Sequence, residues 1–169
     1  MNKMDTFDIN DVVYNFDKPR VLKFTMQKIF ELEMIYGSMR AAFDSFYDKD
    51  AGKQLLATEI FLQILLGLSI DEIREIMDAH NLTEARGKIP LALETSFSKT
   101  EENKEKNNTP YEPNDWDWIY YAARYRLLMS DDEFWGCTPK RFEKLHYLWC
   151  VDKGLIEKEP EIFYGEVSY

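Results

Sequence analysis

The sequence predicts a mainly α-helical fold: an N-terminal β-hairpin and helical bundle, a polar linker, and a small C-terminal segment of three helices. Three observations predict it. Apolar residues recur at steps of three and four over most of the chain. Capping residues punctuate those stripes, with Ser69 and Glu72, and again Ser130 and Glu133, spaced as capping boxes. β-Branched and aromatic residues around a turn occur in one place, Val12 to Phe16 and Arg20 to Phe24 on either side of Asp17-Lys18-Pro19.

A lone hairpin is marginal in water, so these two strands are expected to lie on the helices that follow. Thr25 is placed to cap the first helix. Its stripe is Ile29, Leu32, Tyr36, Met39, Phe43 and Phe46, with Gly37 inside it, where glycine costs about 1 kcal/mol against alanine and marks a bend or a close approach. Asp48 to Lys53 reads as a polar turn. Leu55 to Leu66 is apolar on nearly every side, which predicts a central helix or one that meets another subunit. Gly67 ends it, and the Ser69–Glu72 box opens a helix carrying Ile70, Ile73, Ile76 and Met77. From Leu82 to Phe97 the pattern is helical with an interruption, because Gly87 weakens it and Pro90 is suited to a first helical position.

The N-terminal module thus spans residues 1–97. Residues 98–115 hold almost no apolar side chain and two prolines, and read as a solvated linker. Residues 116–154 form the C-terminal segment: a helix capped by Asp115 and carrying Trp118, Ile119, Ala122, Tyr125 and Leu128/Met129, a short helix from Ser130 to Gly136, and a third capped by Thr138 with Pro139 at its first position. Gly154 follows as a helix end. Residues 155–169 are expected to be an extended tail.

Composition narrows the function. With 21 basic against 31 acidic residues the net charge is −10, which disfavours binding a nucleic acid through its phosphates. The first ten residues lack the apolar core of a signal peptide, and Ile60 to Leu68 is too short to span a bilayer. Two cysteines imply no disulfide framework, so a cytoplasmic setting is expected.

Catalytic patterns are missing. His80 sits at a helix end and His146 is the other histidine; no phosphate loop or nucleophile elbow occurs. Cys137, His146 and Cys150 lack a fourth ligand and the usual paired knuckle, so buried small hydrophobes describe the cysteines better than a zinc site. Asp131 with Asp132, and Glu101 with Glu102, are explained by a helix start and a solvated linker. The corner from Ser130 to Leu145 has the outline of a helix-turn-helix, but Glu143 interrupts Lys140, Arg141 and Lys144, and no basic arm accompanies them. No enzyme activity, metal or cofactor is expected. Ten large aromatics between Trp116 and Trp149 exceed what so small a segment can bury alone, so some must face a partner or dock on the N-terminal module.

Two regions carry a family resemblance. The run Arg126-Leu127-Leu128-Met129, then Ser130-x-x-Glu133-Phe134-Trp135, then Thr138-Pro139-x-x-Phe142, resembles the C-terminal segment of tail assembly chaperones of long-tailed bacteriophages and prophages. The run Ile29-Phe30-Glu31-Leu32-Glu33-x-x-Tyr36-Gly37, after a strand, is similar to the N-terminal region of the same family. The resemblance implies an N-terminal module that self-associates and coats the tape measure protein, and a C-terminal segment that recruits tail tube subunits. It also implies action in the cytoplasm of the bacterial host, with no place in the mature virion. Phe30, Tyr36, Phe61 and Leu65 are the residues expected near the multimer or rod surface. Phe134, Trp135, Phe142 and Trp149 are those expected for the second function. The alternative class is an acidic helical regulator of a transcription or defence factor, with a nucleic-acid mimic as one form of it.

Overall fold

A computed structural model describes residues 12–97 and 113–157. Strands β1 (Val12–Asn15) and β2 (Pro19–Leu22) pair antiparallel, Val12 opposite Leu22 and Asn15 opposite Pro19. Pro19 therefore opens a strand rather than sitting in the turn, a position where its missing N–H spares the ladder. The turn is clasped by Arg20, whose guanidinium donates to both Asp17 oxygens at 2.6 and 2.8 Å and holds that carboxyl down at about 2. Val12, Tyr14 and Phe16 alternate inward, and the buried Tyr14 hydroxyl donates to the Asn81 carbonyl at 2.9 Å. Burial, with Glu84 and Asp78 nearby, raises the Tyr14 pKa well above its usual value.

Helix α1 (Met26–Tyr36) is capped by Thr25 as expected, but it does not run on to Phe46. Gly37 takes a left-handed φ of +82° and closes it, and Ser38 caps a separate helix α2 (Met39–Phe46). The single stripe of the sequence is thus two helices in succession, with glycine in the one conformation it adopts most readily.

Helix α3 (Ala51–Leu66), capped by Asp50 and closed by Gly67, packs against α1, α2, β2 and the next two helices. It is the central helix. Phe61 is its hub, with Phe43, Phe46 and Phe24 rings centred 5.1, 5.3 and 6.2 Å away. The helix is not buried all round, however: Leu55 and Leu56 near its start are exposed. Helix α4 (Ile70–Ile76) has the complete Ser69–Glu72 capping box, and its Arg74 reaches back to the buried Glu59 at 2.9 Å.

Helix α5 (Ala79–Ser96) is continuous, contrary to the expected interruption. Pro90 lies inside it, so the Arg86 carbonyl four residues earlier lacks its usual intrahelical donor. Buried Asn81, Ala85, Ile89, Ala92 and Ser96 make a stripe that holds the helix together across the proline. At its end the Ser96 hydroxyl accepts from the Phe24 N–H at 3.1 Å, tying α5 back to the hairpin.

The C-terminal segment has its own small core of Ala122, Ala123, Met129, Phe134, Cys137 and Phe142, completed by Met26 from α1. Helix α6 (Trp116–Tyr121) is capped by Asp115 and passes into a π turn (Ala122–Arg126), not into helix through Met129. The Leu127 N–H donates to the Ala122 carbonyl at 3.1 Å, and the Met129 N–H to Ala123 at 3.0 Å. Leu128 between them has a φ of +55°, which for a bulky side chain costs roughly 1–2 kcal/mol. Helix α7 (Asp131–Gly136) has its full Ser130–Glu133 box, and α8 (Pro139–Asp152) starts from Thr138 with Pro139. Gly154, at φ +67°, follows the Lys153 cap at the end of α8. The expected linker and tail lie largely outside the described residues. Asn114 and Asp115, at the linker's end, are anchored.

Candidate partner-binding surfaces

The two modules meet at an aromatic junction built on α1. Phe30 packs edge-on to Trp116 with ring centres 5.3 Å apart, and Trp135 closes the triangle at 5.6 Å from Phe30 and 6.2 Å from Trp116. One turn along α1, Glu33 is 7 % exposed and satisfies donors from the far segment. Its carboxylate accepts from the Trp116 indole N–H at 2.7 Å, from the Asn114 side chain at 2.9 Å and from the Asn114 backbone at 3.1 Å. The Met39 N–H, at 3.3 Å, ties the same carboxylate to the start of α2. Such charge-assisted bonds compensate the burial of a carboxylate. A backbone bond from the Met26 N–H to the Cys137 carbonyl, 2.9 Å, fixes the other end of α1 to the turn before α8.

Beside this junction lies a groove of about 380 Å³ between α2 and α5, lined by Met39, Arg40, Phe43, Pro90, Leu93, Glu94 and Phe97. Its walls are mostly apolar. Pro90 contributes its ring to the wall, which gives the helix-interior proline a place in a surface as well as in the backbone.

A third surface is the outer face of the C-terminal segment. Trp118, Tyr121 and Tyr125 follow one another at steps of three and four, and all are exposed, Tyr125 at 73 %. On α8, Phe142, His146 and Trp149 form a stack with successive ring centres 6.2 and 6.1 Å apart. Burial first, and Arg126 next, lower the His146 pKa, so its imidazole is neutral at pH 7.

Comparison with protein-family models, curated proteins and solved structures finds no match. The surfaces therefore rest on geometry alone.

The expected contact residues divide into two groups. Phe30 and Trp135 come together at the junction, half-buried, while Trp149 flanks Arg126 and Tyr36 leans on Phe61 with ring centres 6.4 Å apart. Phe61, Leu65, Phe134 and Phe142 are instead core: Phe61 and Phe134 have no exposed surface, and the other two have almost none. The stripes on which they lie face inward, against the hairpin and α5 in one module and against Met26 in the other, so all four pack within the chain in this structure. Sequence reasoning missed Glu33, although its place four residues after Ile29 on the buried stripe was a signal. It also missed the groove, whose two walls lie about fifty residues apart in the chain. Among the described residues no group of three or more His, Cys, Asp or Glu is arranged to hold a metal ion, and no helix is long and apolar enough to cross a membrane.

Proposed function

We propose that this chain is a non-enzymatic assembly protein that acts as a tail assembly chaperone. In this reading it shields a helical rod, the tape measure protein, and delivers tail tube subunits to it. The observation that carries the reading is the apolar groove between α2 and α5, next to an aromatic segment whose small core is shared with Met26 of α1 and which is joined through residues 98–112. A helical partner lays its apolar ridge into such a groove, as amphipathic helices do elsewhere. The second module, tethered to the first, then meets its own partner at a raised local concentration. An acidic exterior keeps the complex soluble while apolar surfaces are on loan.

The test is co-expression with a tape measure protein and with a tail tube protein, followed by size-exclusion chromatography with light scattering. Self-association or a stable rod complex is expected. Leu93→Gln, on the groove wall, should abolish rod binding while leaving the helical circular dichroism unchanged. A discrete monomer or dimer that ignores both partners would overturn the reading and favour the acidic regulator.

A further inference from the structure

Among the described residues, Arg126 lies between two indole rings rather than beside a carboxylate. Arg20, Arg74 and Arg124 each face a carboxylate, on Asp17, Glu59 and Asp131. Arg126 has none within ion-pair distance among the described residues, in a protein with ten more acidic than basic side chains. Its guanidinium lies over two indoles, 5.1 Å from the Trp149 ring centre and 5.7 Å from that of Trp118. One nitrogen, Nη1, stands 3.3 Å from His146 Nε2. A neutral imidazole accepts that proton without cancelling the charge. The remaining N–H groups have no protein acceptor among the described residues.

We propose that Arg126, framed by Trp118 and Trp149, is a receptor for a single carboxylate that a protein partner presents beside apolar side chains. A guanidinium orients its donors as a fork in one plane, which matches the two oxygens of a carboxylate. Two indoles partly dehydrate it, which strengthens that bond relative to open water. Beside it Trp118 is exposed and Trp149 half-buried, so the partner's neighbouring apolar groups find two indole rings to lie on. A phosphate polymer fits worse, because the net charge of −10 repels it and one arginine neutralises a single charge. The inference stands on this geometry and does not depend on the assembly reading.

The test uses the full chain and three probes: benzoate, a planar carboxylate on an apolar ring; benzamide, its uncharged isostere; and inorganic phosphate. The readout is the NMR signals of the Arg126 Nε–H and of the Trp118 and Trp149 indole N–H groups. Saturable shifts of all three with benzoate are expected, with affinity for benzamide weaker by about tenfold or more and no saturable response to phosphate at matched ionic strength. Arg126→Gln should remove the benzoate response, and Arg126→Lys, which keeps the charge but loses the fork, should weaken it. Equal responses to benzoate and benzamide, a response to phosphate as strong as to benzoate, or no saturable response in the unaltered chain would each overturn the proposal. So would benzoate shifts of Trp118 and Trp149 that persist undiminished in Arg126→Lys, which guards against misfolding of the glutamine variant.

Discussion

Replacing Glu33 with alanine removes the acceptor on which the docking of the C-terminal segment converges. Three of its bonds come from Asn114 and Trp116, at 2.7 to 3.1 Å. A hydrogen bond to a charged group is worth about 1.5–3 kcal/mol net. The Asn114 side chain can turn to water, so the remaining two bonds set the scale at about 3 kcal/mol, or roughly a 150-fold shift from docked to undocked. The aromatic packing of Phe30 on Trp116 and Trp135 survives the change, so docking weakens without vanishing. Hydrogen exchange reads this directly. In Glu33→Ala, amides of α6, the π turn and α7 should exchange about two orders of magnitude faster, while those of α3 around Phe61 and Leu62 keep their protection. Glu33→Gln retains one acceptor oxygen and should fall between. Equal loss of protection in α3 and α7 would mean that Glu33 supports the whole fold; unchanged protection everywhere would mean that it supports nothing. Either result refutes the reasoning.

Gly37→Ala separates a helix end from a helix interior. The left-handed φ predicts destabilisation of about 1–2 kcal/mol in urea unfolding, with no steric clash to add, whereas an interior glycine would give a gain of about 1 kcal/mol. Phe61→Ala should cost about 3–5 kcal/mol, seen as a large fall in thermal midpoint, while Leu128→Ala, at 82 % exposure, should stay within about 0.5 kcal/mol or gain slightly. His146, with Arg126 and Cys150 beside it, titrates below its usual 6.5 in the folded chain. The unfolded chain therefore takes up a proton first as pH falls, and stability that is complete above 6.5 declines between 6.5 and the lower folded value. Urea midpoints against pH should show that decline, and His146→Gln should flatten it.

What was legible in the sequence was local chemistry. Ser69 with Glu72, Ser130 with Glu133, Thr138 before Pro139, and the closing glycines 67 and 154 each act within one helical turn, and each does so in the structure. The break at Gly37 was hidden because the stripes of α1 and α2 happen to continue in phase, although glycine followed by serine is itself a stop and a start. Pro90 misled in the opposite direction: burial along α5 outweighs its missing donor. Least legible was the docking of the two modules. Glu33 and Trp116 are 83 residues apart, and no periodicity encodes such a meeting. For the same reason the aromatics that face outward could not be told from Phe134 and Phe142, which face Met26.

The bond between Met26 and Cys137, together with the grip of Glu33 on Asn114, makes the outward skin of residues 12–97 conditional. Lifting the segment from Asn114 onward off α1 would bare one flank of that helix, with the Glu33 carboxylate between Met26 and Phe30 on one side and Tyr36 on the other. Residues 12–97 thus have two different exteriors, one with the C-terminal segment seated on α1 and one without it.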